Sequence, residues 1–205
     1  MIRNYLLTSF RNIKNNKGYV FINISGLSVG MACFIFILLW VYDELGYDKF
    51  HININELYRV VDHEQYSNGE EFRFAVNAPA LAQALQEKFP EFKEVSRYSP
   101  SRDKVIEYGD KRFTEQGLSF ADLSFFKLFS FPFIKGNEEK ALSDPYSIVI
   151  TEDMSEKYFG NNDPIGKTLR VDNKVDFHVT GVLENIPSNS HMHFDFIVPL
   201  RRLEI

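Results

Sequence analysis

Gly18–Tyr42 reads GYVFINISGLSVGMACFIFILLWVY, 25 residues without one charged side chain. As an α-helix this stretch would be ~37 Å long, enough to cross a ~30 Å hydrocarbon layer with some tilt. An uninterrupted apolar run of this length reads as a membrane span rather than as the buried helix of a soluble domain. Its polar residues are few and neutral: Asn23, Ser25, Ser28 and Cys33. Tyr19, Trp40 and Tyr42 stand near its ends, where amphipathic rings favour the membrane interface.

The flanks predict the orientation. Arg3, Arg11, Lys14 and Lys17 precede the span with no acidic residue among them, whereas Asp43, Glu44 and Asp48 follow it before the next lysine. The positive-inside rule then places the N-terminus in the cytoplasm and the chain beyond about residue 45 outside the plasma (inner) membrane. The run is too long for a cleaved signal peptide, and no small-x-small site follows it, so an uncleaved anchor is expected. In residues 1–17, Ile2, Tyr5, Leu6, Phe10 and Ile13 fall broadly on one helical side, which predicts a basic amphipathic helix lying in the cytoplasmic interface. Within the span, Gly26 and Gly30 form G-x-x-x-G, with Ser25 and Ala32 nearby, a spacing that lets a second helix approach closely.

The rest of the chain is charged and soluble in character. The whole sequence has 205 residues, 44% hydrophobic, with a net charge of -5. Those values exclude a disordered chain and, with no long basic stretch, argue against a nucleic-acid partner. A single cysteine excludes a disulfide scaffold. Twenty phenylalanines are a large apolar payload that has to be buried.

Local patterns predict mixed helix and strand from about Tyr47 onward. Leu57–Val61 and Phe72–Val76 read as a hairpin around Asn68-Gly69. Asn77 is placed to cap a helix whose apolar face is Ala78, Leu81, Ala84, Leu85 and Phe89, with Pro79 in its first turn and Pro90 at its end. Lys104–Tyr108 and Arg112–Leu118 form a second hairpin around Gly109-Asp110. The aromatic group Phe120, Phe125, Phe126, Phe129, Phe131 and Phe133 is expected in the core. Ser147–Ile150 is a strand, Thr151 opens a helix with Glu152 and Asp153 in its first turn, and Gly160 closes it. Leu169–Val171 and Val175–Leu183 pair around Asp172-Asn173, and His193–Leu200 is a last strand. The chain stops straight after that strand, which suggests an outer domain cut short.

Chemistry-bearing motifs are sparse. Gly160 to Thr168 looks like a phosphate-binding loop, but five residues separate its glycines where four are needed, and it leads into a strand instead of a helix. His191 and His193, with Asp195, could face one side of a strand, yet no fourth metal ligand is evident nearby. His51, His63 and His178 stand alone, and Glu70-Glu71 and Glu138-Glu139 sit in polar turns. No residue nominates itself for catalysis, for a metal or for a cofactor.

The order of several phrases resembles the N-terminal part of MacB/FtsX-like permeases of ABC transporters, those with a MacB-like periplasmic core domain. They are Leu7–Asn12, Asn23–Gly30, Tyr47-Asp48-Lys49-Phe50, Leu57–Val60, Ser147–Thr151, Lys157–Gly160, Asp163–Thr168, Val179–Val182, Pro187 and Ser190-His191. The resemblance implies an α+β fold: one N-terminal transmembrane helix (18–44) followed by an extracytoplasmic mixed α/β domain (45–205), with further helices beyond. It implies a non-enzymatic permease subunit that passes ATP-driven motion outward, in export or extraction of a substrate. ATP would sit on a separate ABC ATPase subunit, and a second permease subunit, identical or not, would complete the assembly. The competing readings are a single-span sensor or ligand-binding protein and a membrane-anchored enzyme.

Overall fold

The computed structural model describes residues 2–100 and 103–201. They fall into two units, one up to Tyr47 and one from Asp48 onward. Arg202 to Ile205 of the chain's end lie outside the described residues, as do the side chains of Ile2, Arg3, Tyr5 and Leu6.

The first unit has two helices, α1 (Ile2–Asn15) and α2 (Lys17–Glu44). They are separated at Asn16, whose backbone leaves the helical region at φ -117°, ψ 49°. Its side-chain amide donates to Asn12 Oδ1 (2.8 Å). Lys17 therefore begins α2 rather than ending α1. None of α2's side chains is buried, and Phe21 and Trp40 remain 72% and 65% exposed. The helix is long and apolar enough to cross a membrane. Ser25 satisfies its own hydroxyl by donating to the Phe21 carbonyl (2.8 Å).

The second unit is built on a mixed nine-stranded sheet. Its strands are β3 (Tyr98–Pro100), β4 (Lys104–Tyr108), β5 (Lys111–Glu115), β6 (Leu118–Ala121), β7 (Phe133–Gly136), β8 (Ser147–Thr151), β9 (Thr168–Val171), β10 (Val175–Leu183) and β11 (Phe196–Pro199). The order is β3-β6-β11-β8-β10-β9-β4-β5, and β7 also pairs with β10. The β8–β10 and β6–β11 pairs are parallel and the others antiparallel.

All five residues of β8 are buried, so this part of the sheet is covered on both faces. The side-chain alternation sorts them. Ile148 and Ile150 join Phe196 and Val198 in a core with Tyr158 and Phe159 of α5 (Glu152–Phe159). Val149 and Ile197 point the other way, into the aromatic core around α4 (Phe125–Leu128). There Phe125 has no exposed surface, and its ring centroid lies 4.9–6.0 Å from those of Phe126, Phe129, Phe131 and Phe194. Of the aromatic group expected inside, Phe125, Phe126 and Phe131 are buried, while Phe120, Phe129 and Phe133 are half-buried.

Several boundaries differ from the sequence reading. The first hairpin is β1 (Asp62–Gln65) against β2 (Glu71–Phe74), with Asp62 opposite Phe74. Leu57–Val61 is not a strand: the Leu57 N–H turns back to the Ile54 carbonyl (3.4 Å) and the Val60 carbonyl accepts a side-chain amide. Asn77 does not cap α3 (Ala80–Lys88); its amide donates to the Val60 carbonyl (2.9 Å) and Pro79 holds the cap position. Leu81, Ala84 and Leu85 of α3 are half-buried, while Ala78 and Phe89 are exposed.

The expected strand Arg112–Leu118 is broken at Gly117. Its carbonyl accepts N–H bonds from Asp195 (2.7 Å) and Phe196 (3.0 Å), so the chain leaves β4 there and joins β11. A Cβ at Gly117 would lie 2.7 Å from the Asp195 nitrogen, which explains the glycine. The last strand starts at Phe196, later than the expected His193, and the loop before it is tied to Asp48 through Asn189 and His191. By contrast, Asp172 and Asn173 both adopt positive φ (51° and 54°), the turn that a two-residue hairpin needs, and Gly160 ends α5 at φ 59°.

Candidate functional site

The second unit opens with a short strap, residues 48–52. Asp48 takes the left-handed conformation, φ 55°, which a short polar residue tolerates better than most. Its backbone N–H donates to the Asn189 carbonyl (2.9 Å). One carboxylate oxygen accepts the His191 backbone N–H (3.0 Å) and the other meets His191 Nδ1 at 2.7 Å. Burial works against ionisation of Asp48. The backbone and ring hydrogen bonds from His191, together with its charge, outweigh that and hold the carboxyl below its ordinary range. Two of these bonds join residues 143 positions apart in the sequence, and the third ties Asp48 to Asn189 in the same loop.

Two residues on, His51 is 2% exposed. Its ring packs edge-on against Phe129 and Phe131, with centroids at 5.3 and 5.1 Å. Ser130 grips the strap twice: its backbone N–H donates to His51 Nδ1 (3.1 Å), and its hydroxyl oxygen accepts the Ile52 N–H (3.1 Å). Nδ1 is therefore an acceptor, which assigns the neutral tautomer with its proton on Nε2. Burial lowers the His51 pKa and the Asp48 charge only partly opposes it. Beside the strap lies an open groove of about 640 Å³, lined by Phe50, Ile52, Phe131, Phe133, Glu138 and Glu139 among others.

The other residues singled out by sequence are not brought together. His191 belongs to the Asp48 joint and His193 is exposed. Among the described residues no three His, Cys, Asp or Glu side chains are grouped to hold a metal. The Gly160–Thr168 stretch is a turn: Gly166, at φ 74°, donates its N–H to the Val179 carbonyl (2.8 Å), and β9 follows with no helix start. Gly26 and Gly30 lie one turn apart on α2 with open space where a side chain would be. Arg11, Lys14 and Lys17 are exposed.

Sequence reasoning missed three features. Glu115 is a buried carboxylate held by Lys157 Nζ and the Tyr158 hydroxyl, both at 2.7 Å. Burial, then the Glu115 hydrogen bond and charge, push the Tyr158 pKa upward. Asn185 caps α5 from a distance, accepting the Asp153 N–H (3.0 Å) and donating to its carboxylate (2.7 Å). The third is the strap joint, whose two phrases, Tyr47–Phe50 and Ser190-His191, lie far apart in the sequence.

Comparison with known proteins converges on one family. The profile of the MacB-like periplasmic core domain matches residues 20–205. Among solved structures, a domain of a permease protein from Porphyromonas gingivalis is 26% identical with a TM-score of 0.60, over 68% of this chain and 60% of that one. The extracellular domain of the noncanonic ABC-type transporter YknZ from Gram-positive bacteria shares the fold at 18% identity and a TM-score of 0.50, over 62% and 65% of the two chains. The periplasmic region of MacB from Actinobacillus actinomycetemcomitans aligns at 21% identity and 0.49, over 62% and 57%. The chain spans less than two thirds of the length of each of these three. No curated protein sequence matches. With its profile match covering most of the chain, the protein belongs to the MacB-like periplasmic core domain family.

Proposed function

We propose that this chain belongs to a permease subunit that carries the motion of a separate ABC ATPase across the inner membrane to an extracytoplasmic domain, for export or extraction of a substrate. The N-terminus is cytoplasmic, ATP is held by the partner ATPase, and a second permease subunit completes the unit. The observation that carries this reading is the strap. Asp48 stands four residues after the last residue of α2 and is tied by three hydrogen bonds to the loop that leads into β11, a central strand. The first residues of the sheet unit are thereby fastened to its own core, as a domain that moves as one body requires.

The test is affinity purification of the full-length protein from its native membranes. An ABC ATPase should co-purify in near-stoichiometric amount. Recovery without any ATPase, or an N-terminal tag reachable by protease from outside intact cells, would refute the reading.

A further inference from the structure

We propose that His51 is a proton-operated latch. While its ring is neutral, Nδ1 holds the strap to Ser130; a proton taken from solvent at Nδ1 breaks that bond and frees the groove wall formed by Phe50 and Ile52.

The argument starts from the hydrogen-bond inventory. Nδ1 accepts the Ser130 N–H, and a protonated Nδ1 would set two donors face to face. Nε2 is buried and makes no hydrogen bond to any described residue. A phenylalanine would fill the same aromatic site without placing polar nitrogens inside. What histidine adds is one acceptor for the strap and the ability to lose it by titration. Burial keeps the ring neutral to lower pH than an exposed histidine, so the latch is closed near neutrality and opens on acidification.

The charged and titratable groups on the surrounding elements bear on the sign. The strap carries Asp48 and Lys49, and α4 carries Lys127, which pairs with Glu94 (3.1 Å). Glu138, Glu139 and Lys140 follow β7, and His191 and His193 precede β11. Asp48 acts on His51 by its charge and favours the proton, but its carboxylate is already engaged by His191. Protonated His51 therefore loses Ser130 without gaining a hydrogen-bonded partner in the present arrangement. Nothing in this depends on the transport reading.

The experiment uses the full-length protein in lipid nanodiscs with ¹³C-labelled histidine. Ring resonances give the His51 midpoint, and amide exchange corrected for intrinsic rate follows residues 50–54 and 129–131. Exchange in both segments should rise tenfold or more as pH falls through the His51 midpoint. H51N retains a side-chain acceptor and takes no proton, so its exchange should be flat; H193A, at an exposed histidine outside the strap joint, should keep the wild-type response. A flat wild-type profile, a pH response surviving in H51N, or one abolished by H193A overturns the proposal. Should H51N fail to fold, the wild-type titration decides: coincident midpoints support the latch and separated ones refute it.

Discussion

At the residue scale, the sheet unit spends stability on one carboxylate. Asp195 precedes β11, is half-buried, and its pKa is raised, first by burial and then by the nearby charges of Glu115 and Asp153, against the opposing effect of Lys157. A carboxyl whose folded pKa lies above its unfolded value of about 3.8 binds its proton more tightly in the folded state. The cost of ionising it is fully present above the folded pKa and disappears as pH falls through that value. Asp195→Asn should therefore raise Tm by a few degrees at neutral pH, and the gain should vanish in acid. A thermal-melting series on both proteins checks this, and an unchanged or lowered Tm at pH 7 would count against it.

Elements differ in what decides them. The candidate span is set by composition, 25 uncharged residues in a helix long and apolar enough to cross a membrane. Its partner face is a packing matter. Gly26→Ile and Gly30→Ile add bulk where the surface is now open, and should halve or more the crosslinking between full-length subunits if that face meets another helix. Unchanged crosslinking would remove that proposal. The helix α5 shows the limit of local reading. Thr151 holds its N-cap position, but its hydroxyl makes no capping bond, and the capping acceptor is Asn185. Local chemistry marks where a helix starts; a side chain 32 residues away supplies the bond.

On the scale of the molecule, the phenylalanines organise the sheet unit. Phe125 joins the rings of Phe126, Phe129, Phe131 and Phe194 into one cluster, and the same cluster walls in His51 through Phe129 and Phe131. Phe125→Ala should cost about 3–5 kcal/mol by removing a fully buried ring. It should also weaken protection of the strap amides, an effect that a purely local cavity would not produce. Denaturant melts and amide exchange on the same variant measure both, and a loss under 1 kcal/mol would show that the cluster is not the core.

The amino-acid order by itself determined the features with a local cause: the uncharged run, the turn at Asp172-Asn173, the glycine that closes α5, the strand at Ser147 and the Phe-rich interior. Each follows from hydration or backbone sterics acting within a few residues. Only the tertiary structure decided where β5 gives way to β6, which face of β8 meets which core, and how the strap is fastened. Those depend on partners distant in sequence, Gly117 with Asp195, Asp48 with His191 and His51 with Ser130. A hydrogen bond between residues 143 apart leaves no local period to read, so Asp48 and His191 became one site only when the folded sheet brought them together.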